Sequence, residues 1–288
     1  MTWTVSKLLQ WSQLYLAEKG IEESRLQVEY LLAHVLAKKR LSLYLESDRV
    51  LNETELAAFK TLLQRRSQKE PLQYILGTHL FMDLNLKVGP GVFIPRFETE
   101  VLVENVLEAF QKREMKTARI LELGIGTGAI SLAIAKKYPD MAIVGVDVSA
   151  EALKYAKENI GLHACSQIEL RQGDLFSSIE PHEKFDVIIS NPPYLAEPLW
   201  ASLKDEVKLH EPKEALFSGE EGLDCILKII ETSRYYLKPE GMLFVEFSPE
   251  QRDQIEAVFK KDTFFTMWKF VRDYEHRDRL FIAERGKT

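Results

Sequence analysis

From residue 119 onward, short apolar segments alternate with segments of helical patterning. The apolar segments lie at residues 120–123, 142–148, 168–171, 185–190 and 242–247. The helical stretches between them include residues 129–138, 150–160 and 223–237. Strands that alternate with helices run parallel and are joined by right-handed crossovers, so this pattern predicts an α/β fold with a doubly wound sheet. Two last strands, at 265–271 and 280–283, have no helix between them and should form an antiparallel pair at one edge.

The first 80 or so residues have the pattern of a small helical bundle. A helix should begin at Asn52, with Glu55 three residues later as in a capping box. Between residues 71 and 95 the pattern changes to alternation with Gly and Pro, which predicts a linking hairpin. We therefore divide the chain at residues 1–80, 81–97 and 98–288. One helix face in the first segment is formed by Val28, Leu31, Leu32, Val35 and Leu36.

Charge and cysteine content limit the partners and the compartment. The chain has 38 basic and 44 acidic side chains, and a net charge of −6 disfavours nucleic acid as a partner. Residues 1–90 hold 12 basic and 10 acidic side chains, so they carry +2 and the remainder −8, which is compatible with docking of a partner on the first segment. The two cysteines, Cys165 and Cys225, lie in no metal-ligand spacing, and no apolar run is long enough for a membrane span or a signal peptide. We expect a cytoplasmic protein without membrane association.

A glycine-rich turn follows the first strand. Gly124, Ile125, Gly126, Thr127 and Gly128 lie between that strand and a helix. Backbone without Cβ atoms lets a ligand approach the strand end and the first amides of the helix. Because Ala129 follows, the segment also fits the looser dinucleotide fingerprint, so NAD is an alternative ligand at this point.

Two carboxylates narrow the choice of ligand. Asp147 ends the next strand, where an acid can accept hydrogen bonds from ribose hydroxyls. Glu122 lies two residues before Gly124 and would repel a pyrophosphate, but it complements the sulfonium and ammonium groups of S-adenosylmethionine. Its alternative role is to anchor the turn through backbone amides. The pair favours S-adenosylmethionine, which leaves as S-adenosylhomocysteine.

A second motif, Asn191-Pro192-Pro193-Tyr194, follows the run at residues 185–190. In a doubly wound sheet this strand lies beside the first, across the switch point where ligands bind, so the motif should face the glycine-rich turn. The Asn191 side-chain oxygen and the Pro192 carbonyl offer two acceptors for an NH₂ group, and neither proline has an N–H that competes. Tyr194 adds a flat face for a planar amide or base. This arrangement predicts methyl transfer to an amide or aryl-amine nitrogen.

These motifs and further segments resemble the release factor glutamine methyltransferase family (PrmC, formerly HemK), the protein-(glutamine-N5) methyltransferases. The resemblance covers nearly the whole chain, and Asn-Pro-Pro-Tyr alone occurs in several amino-methyltransferase families. The matching segments are residues 70–77 (EPLQYILG), 94–100 (IPRFETE), 124–128 (GIGTG), 173–176 (GDLF), 191–194 (NPPY) and 211–216 (EPKEAL).

The resemblance implies a helical N-terminal domain that docks the release factor, then a seven-stranded Rossmann-like methyltransferase domain. The target is the glutamine in the Gly-Gly-Gln tripeptide of class I peptide-chain release factors, methylated on its side-chain nitrogen. The family's donor site corresponds to the glycine-rich turn, Asp147, Asp174 and Leu175. We add Glu122 on the charge argument above, and Asn191 as a residue shared between the donor and acceptor sites. Its glutamine clamp corresponds to Asn191, Pro192, Pro193 and Tyr194.

The chain departs from the family pattern at a few positions. Phe97 replaces the usual proline, and Ser248 replaces the glycine that usually follows Glu246. The turn itself carries Ile125 and Thr127 in place of the commoner Gly-Thr-Gly-Ser-Gly. Phe97 puts the backbone path near the donor in question, and Thr99 has a simpler interpretation as a helix N-cap.

Several alternatives remain open at this point. The same catalytic core could act on another protein glutamine, such as one in a ribosomal protein, or on adenine in nucleic acid. A third class is a NAD-binding oxidoreductase or a non-catalytic adenosine-binding scaffold. The six histidines form no H-E-x-x-H pattern, so we expect no metal. Residues 195–219 show little periodicity, which predicts a mobile lid.

Overall fold

A computed structural model describes residues 2–287, and its N-terminal part is helical as predicted. The capping box is confirmed: Asn52 Oδ1 accepts from Glu55 N at 2.9 Å, and Asn52 N donates to Glu55 Oε2 at 3.0 Å. The face of the second helix buries Val28, Leu31 and Leu32, with Val35 and Leu36 partly buried beside them. The helices are α1 (Val5–Glu18), α2 (Ser24–Val35), α3 (Arg40–Leu45), α4 (Glu53–Ser67) and α5 (Leu72–Leu76).

A two-stranded hairpin follows, formed by β1 (Thr78–Phe81) and β2 (Leu84–Lys87). It begins earlier than the expected range of 81–97, and residues 88–97 form no helix or strand. The reason is the position of the turn. Met82 adopts a positive φ of 49° and closes the hairpin with Asp83, whereas the Gly and Pro residues at 89–91 lie beyond its second strand.

Seven strands form the main sheet, in the order β5-β4-β3-β6-β7-β9-β8. Strands β3 to β7 are parallel, and β9 pairs antiparallel with both β7 and β8, so the predicted parallel sheet and antiparallel edge pair are confirmed. The strands are β3 (Arg119–Leu123), β4 (Ala142–Asp147), β5 (Ile168–Gln172), β6 (Phe185–Ser190), β7 (Leu237–Glu246), β8 (Phe265–Arg272) and β9 (Asp278–Arg285).

Helices cover both faces of this sheet. Successive strand residues point to opposite sides: Ile120 joins a core with α6, α7 and α8, and Leu121 joins a core with α10 and α11. None of the helices within residues 2–287 combines the length and the apolarity needed to cross a membrane. The helices after the hairpin are α6 (Glu98–Lys112), α7 (Ala129–Lys137), α8 (Ala150–His163), α9 (Asp205–His210), α10 (Asp224–Ser233) and α11 (Arg252–Lys261).

The chain divides into two compact units. The first comprises Met1–Thr78 and Lys204–His210, and the second His79–Leu203 and Glu211–Thr288. Within the first unit, Arg66 is almost fully buried and donates to Glu206 at 2.7 Å. Helix α9 lies in the middle of the segment 195–219, which was expected to be irregular. It belongs to the first unit, which we call the helical unit; the second is the sheet unit. Two 3₁₀ turns, Glu197–Ser202 and Lys213–Ala215, flank α9.

Candidate active site

The glycine-rich turn leaves the carboxyl end of β3, at the centre of the sheet. Gly124, Gly126 and Gly128 have positive φ values of 72°, 56° and 84°, a conformation that costs an L-residue energy. A Cβ atom at Gly126 would meet open space, and one at Gly124 would lie 3.8 Å from the backbone oxygen of Asn191. The turn therefore offers bare backbone, and it faces the Asn-Pro-Pro-Tyr motif as the strand order predicts.

The two residues between these glycines point into the protein. Ile125 is 3% exposed and packs on β4, where a Cβ at Gly145 would lie 2.1 Å from its Cδ1. Thr127 is also buried, and its carbonyl accepts from Asn159 Nδ2 at 3.0 Å. At Ile125 and Thr127, only the backbone is available to a ligand.

Asp147 ends β4 beside this turn. Its Oδ2 accepts from Gly126 N at 2.8 Å, and its Oδ1 accepts from Ser149 N at 2.9 Å. Burial raises the pKa of Asp147 above its ordinary value, while the backbone hydrogen bonds oppose that shift. Since each carboxylate oxygen can accept a second hydrogen bond, the group can hold the turn and bind a hydroxyl at once.

Glu122 lies in the interior below the turn. It is 1% exposed, and its Oε2 accepts from the backbone N of Ser131 at 3.0 Å and from the Ser131 hydroxyl. Burial raises the pKa of Glu122 to about 8, against the effect of these two hydrogen bonds. The contacts correspond to the anchoring role: Glu122 holds the first turn of α7 beneath the glycines.

Asp174 and Leu175 follow β5 at the same edge. Gly173 N donates to the Asp147 carbonyl at 3.0 Å, which places this segment next to the end of β4. The Asp174 carboxylate forms an exposed ion pair with Lys228 Nζ at 2.7 Å. Leu175 has a positive φ of 49° and packs on the core that contains α10.

Asn191 begins the second motif, directly after β6. Ser190 Oγ donates to the carbonyl of Leu123 at 2.8 Å, joining the ends of the two neighbouring strands. Asn191 Nδ2 donates to Thr99 Oγ1 at 3.0 Å. Because the amide nitrogen is used in this contact, Oδ1 is the end left to accept a hydrogen bond. Pro192, the next residue, is buried.

Tyr194 is held at both its hydroxyl and its backbone. The hydroxyl donates to Glu246 Oε1 at 3.1 Å, and the backbone oxygen accepts from Gln251 Nε2 at 2.8 Å. Burial, followed by the charge of Glu246, raises the pKa of Tyr194 far above its ordinary value, so the phenol stays protonated. Pro193, before it, is half-buried. The motif is thus fixed to two other parts of the sheet unit.

Three of the residues in this network were not identified from the sequence as site residues. Thr99 is not an N-cap: α6 starts at Glu98, its N-cap position is Phe97, and the Thr99 side chain meets Asn191 instead. Glu246 was noted only as the neighbour of a family position, and Gln251 was not noted. Glu246 had a usable signal, because it is a carboxylate at the end of an apolar strand, as is Asp147.

The departures from the family pattern are accommodated locally. Phe97 has a φ of −60°, close to the value that proline would impose, so the backbone path is kept. Its ring packs on that of Tyr274, with the two ring centroids 5.2 Å apart. Ser248 has an extended backbone that needs no glycine, and with Gln251 it forms a capping box on the turn Pro249–Gln251.

One further ion pair joins two of the segments that carry the resemblance. The carboxylate of Glu211 is 1% exposed and binds the Arg96 guanidinium, and its Oε2 accepts from Ile94 N at 3.4 Å. No group of three or more His, Cys, Asp or Glu side chains within residues 2–287 is placed to bind a metal.

The chain is similar to known proteins over most of its length. Residues 7–77 match the PrmC N-terminal domain, and residues 84–204 match the methyltransferase small domain. A release factor glutamine methyltransferase from Geobacter sulfurreducens is 41% identical over 91% of this chain and 90% of its own. One from Rhodopirellula baltica is 37% identical over 99% of this chain and 97% of its own.

Solved structures share the fold at low sequence identity. A methyltransferase from Pyrococcus furiosus is similar with a TM-score of 0.51 at 17% identity, over 72% of this chain and 91% of its own. A 16S rRNA N2 G1207 methyltransferase from Thermus thermophilus, in complex with AdoMet and guanosine, has a TM-score of 0.55 at 17% identity, over 72% of this chain and 49% of its own. At this identity, the likeness supports the doubly wound fold alone.

Proposed function

The chain belongs to the release factor glutamine methyltransferases, and on that premise we propose that residues 191–194 hold the side-chain amide of a glutamine for methylation on nitrogen. The reaction is methyl transfer from S-adenosylmethionine to a release factor glutamine. The observation that carries our assignment of the clamp is the contact between Asn191 Nδ2 and Thr99 Oγ1. It leaves Asn191 Oδ1 free to accept at the edge where the glycine-rich turn lies.

The residues around the turn fit S-adenosylmethionine. Bare backbone at Gly124 and Gly126 gives room for the donor, and the Asp147 carboxylate has acceptor capacity left for ribose hydroxyls. Gly128, Asp174 and Leu175 complete the donor site in this proposal. When bound, the donor supplies a methyl group on a sulfonium, which is electrophilic without metal or acid. The buried Glu122 supports the turn from below through Ser131.

The clamp accounts for the choice of a primary amide. An amide nitrogen is a poor nucleophile because its lone pair is delocalised, so the enzyme must orient it. Asn191 Oδ1 and the Pro192 carbonyl accept the two N–H groups, and the flat face of Tyr194 stacks on the amide plane. Pro193 keeps the turn rigid and adds no competing N–H. Held in this way, the nitrogen is aligned with the methyl group, and proximity supplies much of the rate enhancement.

The acceptor in this proposal is the glutamine of Gly-Gly-Gln in class I peptide-chain release factors. The helical unit would dock the body of the factor while the sheet unit performs the chemistry. The charge of +2 on residues 1–90, against −8 on the remainder, supports this division. The same proposal places the enzyme in the cytoplasm, where both cysteines would stay reduced. Cys165 and Cys225 are free thiols in the structure.

Ligand titration combined with one variant tests the two halves of this assignment. Calorimetry should show binding of S-adenosylhomocysteine and none of NAD; tight NAD binding would support the oxidoreductase alternative. Asn191→Ala should transfer methyl to a release factor at least ~10²-fold more slowly, because a substrate N–H loses its acceptor and the nitrogen loses its alignment, and this loss should exceed any loss of S-adenosylhomocysteine affinity. A parental rate from Asn191→Ala would remove this residue from the clamp.

A further inference from the structure

Glu246 is a buried carboxyl with one unused oxygen. It ends β7 at 1% exposure, and the hydroxyls of Tyr194 and Thr99 both act on it. Its Oε1 accepts from the Tyr194 hydroxyl, while Oε2 is buried and receives no hydrogen bond from residues 2–287. A buried acceptor without a partner lowers the stability of the fold, so its presence beside the clamp calls for an explanation.

The hydrogen bonds around this carboxyl have a defined direction. Thr99 lies beside Glu246, where its hydroxyl lowers the pKa of that carboxyl, and the same hydroxyl oxygen accepts from Asn191 Nδ2 at 3.0 Å. Because Oε2 has no donor of its own among residues 2–287, it is the acceptor available to the Thr99 proton. A hydroxyl has one proton to give. When that proton points to an ionised Glu246, Thr99 can only accept from Asn191. The amide nitrogen must then turn inward, and the amide oxygen outward.

Protonation of the carboxyl removes this constraint. A neutral Glu246 can donate its own proton to Thr99, which frees the Thr99 proton for Asn191 Oδ1. The Asn191 amide could then turn over and present its NH₂ group outward. The NH₂ groups of Asn191 and of the substrate glutamine would then face each other, and the substrate amide would lose its acceptor.

We propose that Glu246 is a positioning residue that acts through Thr99 to keep the Asn191 oxygen turned toward the substrate amide. The proposal rests on the proposed role of Asn191 as an acceptor for the glutamine. Glu246 does not itself touch the substrate. Its effect is on the direction of the hydrogen bonds, and hence on the fraction of enzyme that is competent to bind the amide.

The charges around the carboxyl place its titration near neutral pH. Burial raises the pKa of Glu246 to about 7, and Glu98 adds to the rise, while Arg279 and the two hydroxyls oppose it. Arg279 is shared with Asp273, whose Oδ2 it contacts at 3.2 Å, and Arg96 lies near enough to Tyr194 to act on that phenol. The fraction of enzyme in which Asn191 Oδ1 faces the substrate should therefore fall below pH 7 and approach its maximum above it.

Three variants test the relay, with transfer to a release factor measured at saturating donor between pH 6 and pH 8. The parental kcat/KM for the release factor should rise about tenfold over this range, since a group with a pKa near 7 goes from about 10% to about 90% ionised and only the ionised fraction binds the amide. Thr99→Val removes the relay and should lower kcat/KM at least ~10-fold at pH 8 with a flat profile. Thr99→Ser keeps the hydroxyl and should restore both the rate and the pH step. Glu246→Gln cannot ionise and should lose the step.

Controls separate this inference from the proposed function. S-adenosylhomocysteine affinity and the thermal midpoint of each variant report folding, and Glu246→Gln stands in if Thr99→Val does not fold. If the parental enzyme leaves the release factor glutamine unmethylated, the proposed function itself is wrong. A parental enzyme that methylates glutamine, together with a Thr99→Val or Glu246→Gln variant that keeps the parental kcat/KM and its pH step, would overturn the relay alone.

Discussion

The backbone N–H of Gly126 donates to the Asp147 carboxylate at 2.8 Å, which joins the turn after β3 to the end of β4. The carboxylate therefore shapes the bare backbone of the turn and retains acceptor capacity for a ribose. We therefore propose that donor affinity and the shape of the turn depend on the same side chain.

Asp147→Ala should weaken S-adenosylhomocysteine binding by ~1.5–3 kcal/mol, because it removes a charge-assisted acceptor. Asp147→Asn, which can keep the contact with Gly126, should lose less. Calorimetry measures both, with Asp253→Ala as a control because that side chain is 93% exposed on α11. Unchanged affinity in a folded Asp147→Ala protein would separate Asp147 from the donor.

Glu122→Gln should change how stability depends on pH. The folded protein holds a proton on Glu122 up to about pH 8, whereas the unfolded chain loses it near its ordinary value of 4.5. The parental free energy of unfolding therefore falls as pH rises through this window and then levels off. Because the glutamine side chain carries no titratable proton, the free energy of unfolding of the variant should rise relative to that of the parent between pH 4.5 and about 8. The rise should reach up to about 5 kcal/mol, at ~1.4 kcal/mol per pKa unit.

Urea titrations at pH 5, 6.5 and 8 measure this difference. Glu158→Gln, on the exposed surface of α8, is the matched control and should stay parallel to the parent at all three pH values. A difference in the free energy of unfolding between Glu122→Gln and the parent that is the same at all three pH values would contradict the proposed protonation of Glu122.

The segment 195–219 should gain order when donor or substrate binds. Its base is closed by Leu195 N donating to the Leu216 carbonyl at 2.8 Å and Ser218 N donating to the Leu195 carbonyl at 3.1 Å. Between these bonds lie only short helical turns, which are marginal alone. Hydrogen exchange should slow here on adding S-adenosylhomocysteine or a release factor. Equally slow exchange in the free and bound enzyme would exclude a lid.

Removal of helices α1 to α5 should separate docking from chemistry. A chain that starts at Gly77 keeps the hairpin from Thr78 onward and should bind S-adenosylhomocysteine nearly as the parent does. Transfer to an intact release factor should fall at least ~100-fold, because binding energy from remote contacts is lost. A short Gly-Gly-Gln peptide is the control and should be methylated equally by both chains. A truncated enzyme with the parental rate on the whole factor would refute the docking role.

Most of the sheet could be predicted from the sequence because each strand is a local apolar run. The strand at 185–190 lies where it was expected, and β4 differs only at its end. The strand β7 was expected at 242–247 but spans Leu237–Glu246, and the helix before it ends at Ser233 rather than at residue 237. Pro239 and Gly241 resemble a turn, yet the chain passes them as an irregular stretch of strand beside β6.

The network behind the clamp could not be predicted in the same way. Thr99 and Asn191 are 92 positions apart, and their contact depends on how α6 packs against the end of β6. Local patterns report which face of a helix is buried, but they do not fix its position along a sheet. For the same reason, the partner of Glu246 became visible only with the tertiary structure, whereas the anchoring role of Glu122 was one of the two roles expected from its place before the turn.

The central claim is that the Asn191 clamp directs a methyl group to a glutamine nitrogen. The most direct test is mass spectrometry of a class I release factor carrying Gly-Gly-Gln, and of its Gly-Gly-Ala variant, after incubation with enzyme and S-adenosylmethionine. Duplex DNA, with its adenine amino groups, is the competing acceptor. We predict one added methyl on the glutamine of the first factor, and none on the second factor or the DNA. One methyl on both factors, or none on either while adenine is methylated, would contradict the account.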